Sequence, residues 1–355
     1  LLVALAAAVL GVAATTETSY ETRLKARLDL PHVCIPRVHD SPGWQKEPGL
    51  AFDWDEPRAV TIGDQIYFGG GIKAILFLKN EGKGEVARER VPIVSLKSFE
   101  RFDPATGTYT SLASLPFALN HVGITTYKGD VYVVGGHGNR LFGGDPRGEF
   151  LRYSVKDNRW TRLPPLPVPR GALAVGVIGH KLYAAGGMTA GLPGHATRRL
   201  DIYDFDTGRW SRGPNMPTAR EHVGWAVFHG DLYVVGGRDN RTDALPTVER
   251  FNPRNGNWET VAPLVVPTGG LGAVVADGTL FAIGGGNDRE STVTNAVQRY
   301  DLATNSWSLA PHMRTGRHGF GVADADGRIY TIGGSACALF SPVKTVESYD
   351  PHVRG

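Results

Sequence analysis

Residues 200–237 read Leu200-Asp-Ile-Tyr-Asp-Phe-Asp-Thr-Gly-Arg-Trp210-Ser-Arg-Gly-Pro-Asn-Met-Pro-Thr-Ala-Arg220-Glu-His-Val-Gly-Trp-Ala-Val-Phe228-His-Gly-Asp-Leu-Tyr-Val-Val-Gly236-Gly. Leu200 to Tyr203 alternates apolar and polar, and Asp204 to Gly208 is a polar turn ending in glycine. Trp210 opens a second run, Arg209 to Gly213, which Pro214 and Pro217 stop because proline cannot donate to a strand ladder. His222 to Phe228 and the run from Leu232 read as two further strands about a tight turn, His229 to Asp231. Four short strands separated by turns leave no room for a helix of about ten residues.

The closing Gly-Gly of this stretch recurs. Doublets begin at Gly70, Gly135, Gly186, Gly236, Gly284 and Gly333, with spacings of 65, 51, 50, 48 and 49 residues. Each follows an aromatic by three residues: Tyr67, Tyr132, Tyr183, Tyr233, Phe281 and Tyr330. Two further intervals hold. The aromatics pair seven residues apart, as Phe102 and Tyr109, Tyr153 and Trp160, Tyr203 and Trp210, Phe251 and Trp258, Tyr300 and Trp307. The second of each pair lies 26 residues before its next doublet. A period near fifty with strand signals predicts a radial β architecture. Flat rings fill the space between twisted sheets, and glycine turns the backbone away at positive φ.

These residues resemble the kelch repeat, in which a strand ending in Gly-Gly precedes a Tyr-Asp strand and a Trp strand. The resemblance covers residues 44–355 and implies an all-β fold, a six-bladed β-propeller of four-stranded antiparallel blades. Blade one departs from it, with Tyr109 in the Trp position and an insert from Ile72 to Pro92 that reads as a loop. The sixth repeat ends after Thr345 to Asp350 without its Trp strand, while Trp44 stands 26 residues before Gly70. An N-terminal strand around Trp44 is therefore expected to complete the last blade, so that pairing closes the ring.

Gly 46 and Pro 23 among 355 residues suit many strands and turns. Net charge is +3, from 38 basic and 35 acidic residues, which gives no case for a nucleic-acid partner. Leu1 to Ala14 carries no charge and ends Val12-Ala13-Ala14, the pattern of a secretory signal core and cleavage site. Its charged start is expected to lie upstream of Leu1. Fourteen residues fall short of a membrane span of about 20. The expected organisation is a signal at 1–14, an N-terminal segment at 15–43 and the propeller at 44–355, exported to the periplasm or the outside, with no stable membrane anchor and as a monomer. Cys34 and Cys337, the two cysteines, fall in the same blade once the ring is closed, and a disulfide between them is expected at the seam. Asn240-Arg-Thr242 is a glycosylation sequon, meaningful in a eukaryotic source.

The face carrying the loops after each Gly-Gly also carries the residues ahead of each innermost strand: Arg58, Asn120, His121, Arg170, Arg220, Glu221, His222, Arg317 and His318. Of these, Arg170, Arg220, Glu221, His222, Arg317, His318 and His121 are the ligand-binding candidates, because Arg offers paired donors to carboxylates. The competing reading ties Arg170, Arg220 and Arg317 to backbone carbonyls, as the kelch resemblance implies. His121, His222 and His318 are read as symmetry-related and spread around a channel, so no metal site is expected, and no cofactor. No nucleophilic triad or phosphate cradle is present. The favoured function is a non-enzymatic binding propeller for a protein or glycan ligand. The alternative is a sugar-modifying enzyme, such as the sialic-acid epimerases and mutarotases that resemble it in blade count and export. A galactose-oxidase-like protein is disfavoured, because that family uses seven blades.

Overall fold

The computed structural model describes residues 37–353, apart from short runs at 75–76, 81–85, 90–92, 139–144, 190–194, 242, 291 and 338–340. Among the described residues there are six four-stranded antiparallel sheets and no helix. Blade 4 shows the plan: Gly224–Phe228 innermost, then Asp231–Val235, Val248–Asn252 and Asn257–Val261 outermost. The innermost strands of blades 1 to 6, starting at Arg58, Gly123, Ala174, Gly224, Gly272 and Gly321, touch in a closed cycle around a cavity of about 400 Å³. No helix among the described residues is long and apolar enough to cross a membrane.

The ring closes as its spacing predicts. Trp44–Lys46 pairs antiparallel with Val346–Tyr349, Trp44 opposite Tyr349, so the outermost strand of blade 6 comes from the other end of the chain. The seven-residue aromatic interval now has a cause. In blades 1 to 5 its two members are direct cross-strand partners, and in blade 6 Trp44 and Tyr349 take the same places, with ring centroids 4.8–5.3 Å apart throughout. The outer ring of each pair also donates to the preceding blade. Trp160 Nε1 donates to Ala113 O, Trp210 to Pro164, Trp258 to Pro214, Trp307 to Ala262 and Trp44 to Pro311, at 2.7–3.0 Å. Tyr109 Oη does the same to Pro48 O, so blade 1 keeps the clamp without an indole.

Two local expectations change. The insert after the first doublet is not a plain loop: Ile72–Ala74 pairs with Ile93–Ser95, and Phe77–Asn80 with Val86–Glu89. The strand expected from His222 begins only at Gly224, because His222 has φ +49° and cannot extend the ladder. Cys34 lies outside the described residues, as do Leu1 to Ala14.

Candidate functional site

The three arginines sit in blades 3, 4 and 6, each 16 residues before the first glycine of its own doublet, and each donates to that glycine's carbonyl at 2.6–2.9 Å. Each also meets a carboxylate from the blade's third strand: Arg170 with Asp201, Arg220 with Glu249, Arg317 with Glu347, at 2.8–2.9 Å. All three are wholly buried. Trp54 Nε1 and Thr268 Oγ1 make the same bond, to Gly70 and Gly284, in blades 1 and 5. Arg170, Arg220 and Arg317 are therefore struts inside their blades and present no donor to a ligand at the mouth. Of the two readings of these arginines, the tie to backbone carbonyls holds, and their place among the ligand-binding candidates is corrected by their burial and by the partners already holding them.

The mouth is built by the two residues that follow the strut position, which Leu119 occupies in blade 2. The first of them, Asp55, Asn120, Gly171, Glu221, Gly269 or His318, forms an antiparallel bridge with the residue just past the doublet: Ile72, His137, Met188, Arg238, Gly286 or Ser335. The second is Glu56, His121, Ala172, His222, Gly270 or Gly319, and all six have φ between +49° and +66°. Their backbones link around the axis, with Glu56 N donating to Gly319 O, Gly319 N to Gly270 O, Gly270 N to His222 O, His222 N to Ala172 O and Ala172 N to His121 O, at 2.7–3.0 Å. The left-handed conformation costs a residue with a Cβ about 1–2 kcal/mol, so glycine would be the cheap choice at every place. Three places nevertheless carry Glu56, His121 and His222.

These three side chains converge. One donor atom from each lies within 4.8 Å of the other two. The His121 and His222 rings meet edge to face at 4.7 Å, and His121 Nε2 lies 3.6 Å from Glu56 Oε1. The expectation that the imidazoles stand apart fails for this pair. His318 is not their symmetry mate, because it occupies the first position after its strut, and it donates from Nε2 to Cys337 O. Arg58, where the other blades have glycine or alanine, donates to Glu56 Oε2 at 3.2 Å and lies 5.4 Å from the Trp225 ring. His137, wholly buried, lies 5.8 Å from His121, and neither of its ring nitrogens has a hydrogen-bond partner.

Burial lowers His121 well below the usual imidazole range, against the pull of Glu56 and with His222 and His137 acting the same way. Burial also takes His137 down to about 4, and it lowers His318 with help from Arg238. For Glu56 burial acts upward, but His121, Arg58, His222 and His318 outweigh it and hold the carboxyl below its usual range. Arg58 is the lasting member of that set, since a guanidinium keeps its charge at any ordinary pH. Asp55 goes the other way, raised by burial and by Glu56. The site thus sets the Glu56 carboxyl beside His121, whose charged form burial disfavours.

Of the sequence candidates, Glu221, His222 and His121 are brought together, His318 stands beside them and the arginines are elsewhere. Glu56, Asp55, His137 and Arg238 were missed. The signal for Glu56 was present: it stands 14 residues before Gly70, as His121 and His222 stand 14 before Gly135 and Gly236.

The profile described as the KLHDC2/KLHL20/DRC7 Kelch-repeats domain matches residues 120–334, more than half of the chain. The chain belongs to the kelch-repeat family. Among curated kelch relatives, Kelch-like ECH-associated protein 1A of Danio rerio is 35% identical over 96 residues, 27% of this chain and 16% of that protein. Kelch-like protein 40 of Mus musculus is 26% identical over 236 residues, 64% of this chain and 35% of that protein. Kelch-like protein terF of Aspergillus terreus is 30% identical over 147 residues, 39% of this chain and 28% of that protein. The chain therefore spans about a third or less of these relatives' length. The solved structure of YjhT aligns with TM-score 0.68 at 15% identity, covering 85% of this chain and 95% of its own, and at that identity it speaks for the propeller fold alone.

Proposed function

We propose that this kelch propeller is an exported, monomeric, non-enzymatic binding protein that holds a protein ligand on its doublet-loop face. One observation carries the reading: in all six blades the residue after Gly-Gly is bridged to the residue beside the mouth, so the variable loops rise around one charged floor. One relative is by its name a kelch-like, ECH-associated protein, and this chain is similar to it over 96 residues. Arg238, Asp288, Asp243 and Arg289 place both charge signs on these loops, which suits a polar partner segment. The test is capture from secreted material by the intact propeller and by a variant with residues 239–244 replaced by a short Gly-Asn turn. Partners held by the first and lost by the second support the reading; equal capture by both overturns it. A glycan array run on the same pair decides whether the ligand is instead a sugar.

A second reading, a sugar epimerase or mutarotase, is favoured by Glu56 Oε1 standing 3.6 Å from His121 Nε2 at the mouth, a carboxylate and an imidazole being groups suited to moving a proton. Anomer exchange of N-acetylneuraminate, followed by proton NMR with Glu56→Gln and Glu221→Gln beside the native chain, tests it. No acceleration over buffer removes it for that substrate.

The Cys34–Cys337 disulfide belongs to the same proposal. Val38, four residues after Cys34 in sequence, is bridged to Thr315. A clip enclosing about 300 residues is expected to contribute roughly 2–5 kcal/mol. Reduction should lower the melting temperature, and an unchanged melt with two titratable thiols in the native protein would end the idea.

A further inference from the structure

We propose that Glu56, His121 and His222 form a binding site for one first-row divalent transition metal, of which zinc is the type. The argument starts with the second ring nitrogen of each histidine. Asn120 uses its Nδ2 to donate to Ser95 Oγ and Gly138 O, which leaves its Oδ1 as an acceptor. His121 Nδ1 is bonded to that Oδ1 and must carry the proton, so the lone pair is on Nε2, the nitrogen facing Glu56. His222 repeats the device with its own preceding residue, Nδ1 donating to Glu221 Oε2, which leaves Nε2 as the nitrogen a metal would take.

A metal-bound imidazole needs this arrangement. One nitrogen is tied to a carboxylate or carbonyl oxygen, which fixes the tautomer and raises the basicity of the other. Glu56 completes the set, since Arg58 takes Oε2 and leaves Oε1 toward the histidines. Two imidazoles and one carboxylate suit zinc or iron rather than the all-oxygen preference of calcium or magnesium. With metal–ligand bonds of about 2.1 Å, two donors about 3.4 Å apart subtend the tetrahedral angle. His121 Nε2 and Glu56 Oε1, at 3.6 Å, nearly meet that spacing without any movement.

The ring around the site is shaped for it. Ala172, Gly270 and Gly319 occupy its other three places, so half of it carries no bulky side chain. A Cβ on Gly319 would come within van der Waals overlap of Glu56 Oε1, so the absence of one there makes room for the carboxylate. His137 stands beside the pair, buried and with both nitrogens unbonded, its ring 5.8 Å from that of His121. The site does not rest on the binding reading above and survives its failure.

The test uses the full propeller, stripped with a chelator and then titrated with Co²⁺ as the probe. A visible d–d absorption saturating at one Co²⁺ per chain, and displaced by Zn²⁺, is expected. Glu56→Gln and His222→Gln should each weaken binding at least about tenfold, while His352→Ala, at an exposed histidine far along the chain, should not. Asn120→Ala should cost roughly 10–100-fold through loss of the His121 tautomer, and Asn120→Asp, which keeps the acceptor, should restore most of it. Circular dichroism of each variant separates lost binding from lost fold. Absence of a stoichiometric cobalt band in the native chain overturns the site, and so does native-like binding by both Glu56→Gln and His222→Gln.

Discussion

The outer rim and the mouth of this propeller obey the same six-fold plan and treat it oppositely. At the rim every blade repeats one contact: an aromatic ring packed on its cross-strand partner's ring, its N–H or O–H donated to the blade before. At the mouth every blade repeats one backbone geometry, with positive φ and in-ring hydrogen bonds, and then fills it with Glu, His, Ala, His, Gly and Gly. A contact that holds the ring shut has to be made six times. A site needs its groups only on the side where the ligand is, and symmetry there would place like charges around one axis.

Breaking a strut is expected to have the largest effect. Arg220→Ala leaves Glu249 buried without its cation, which should cost about 3–5 kcal/mol in urea unfolding. Blade 5 shows the neutral form of the same strut, with Thr268 on Gly284 O and Gln298 bonded to Val266. Transplanting it as Arg220→Thr with Glu249→Gln should recover most of the loss, and a double variant as unstable as the single one would show that blade 5 is not an equivalent solution.

Next comes the ring at the mouth. Gly319→Ala forces a Cβ into φ +60° and against Glu56, at about 1–2 kcal/mol. Ala172→Gly, at φ +54°, relieves strain and adds unfolded-chain freedom, so it should stay within about 1 kcal/mol of native. Equal effects from the two would deny the ring any preference for glycine. At the rim, Trp160→Phe and Tyr109→Phe each remove one donor and should each cost about 1 kcal/mol. A clear difference between them would mean that blade 1's tyrosine is not doing the tryptophan's job.

The smallest effect concerns Glu100, which occupies in blade 1 the place of Glu249 and Glu347 but has Trp54 where they have arginine. Burial raises its carboxyl above the usual value of 4.5. The folded chain then holds that proton more tightly than the unfolded chain, so the contribution is full below the unfolded value and is lost as pH rises through the folded one. Glu100→Gln should therefore be the more stable protein at neutral pH, by a margin that closes toward pH 4. A margin that widens in acid would contradict the assignment.

The seam at Trp44 was legible because its 26-residue interval survives chain permutation: pairing partners need only the same register, whichever end supplies them. The aromatic pairs were legible for the same reason. Of the two readings of the arginines, the tie to backbone carbonyls is the one that holds; what no spacing announced is the carboxylate about 30 residues on that encloses Arg220 and Arg317 as well. Grouping His318 with His121 and His222 failed by one residue, which at a turn is the difference between bridging a loop and lining an axis.

By itself the sequence determined the blade count, the strand order and the way the ring shuts, since these follow from intervals that local backbone geometry enforces in each repeat. Only the tertiary structure decided which charges are struts and which meet at the axis. That depends on residues from blades 1, 2 and 4, with Glu56 and His222 166 residues apart in the chain, and on a left-handed backbone whose direction no spacing reveals.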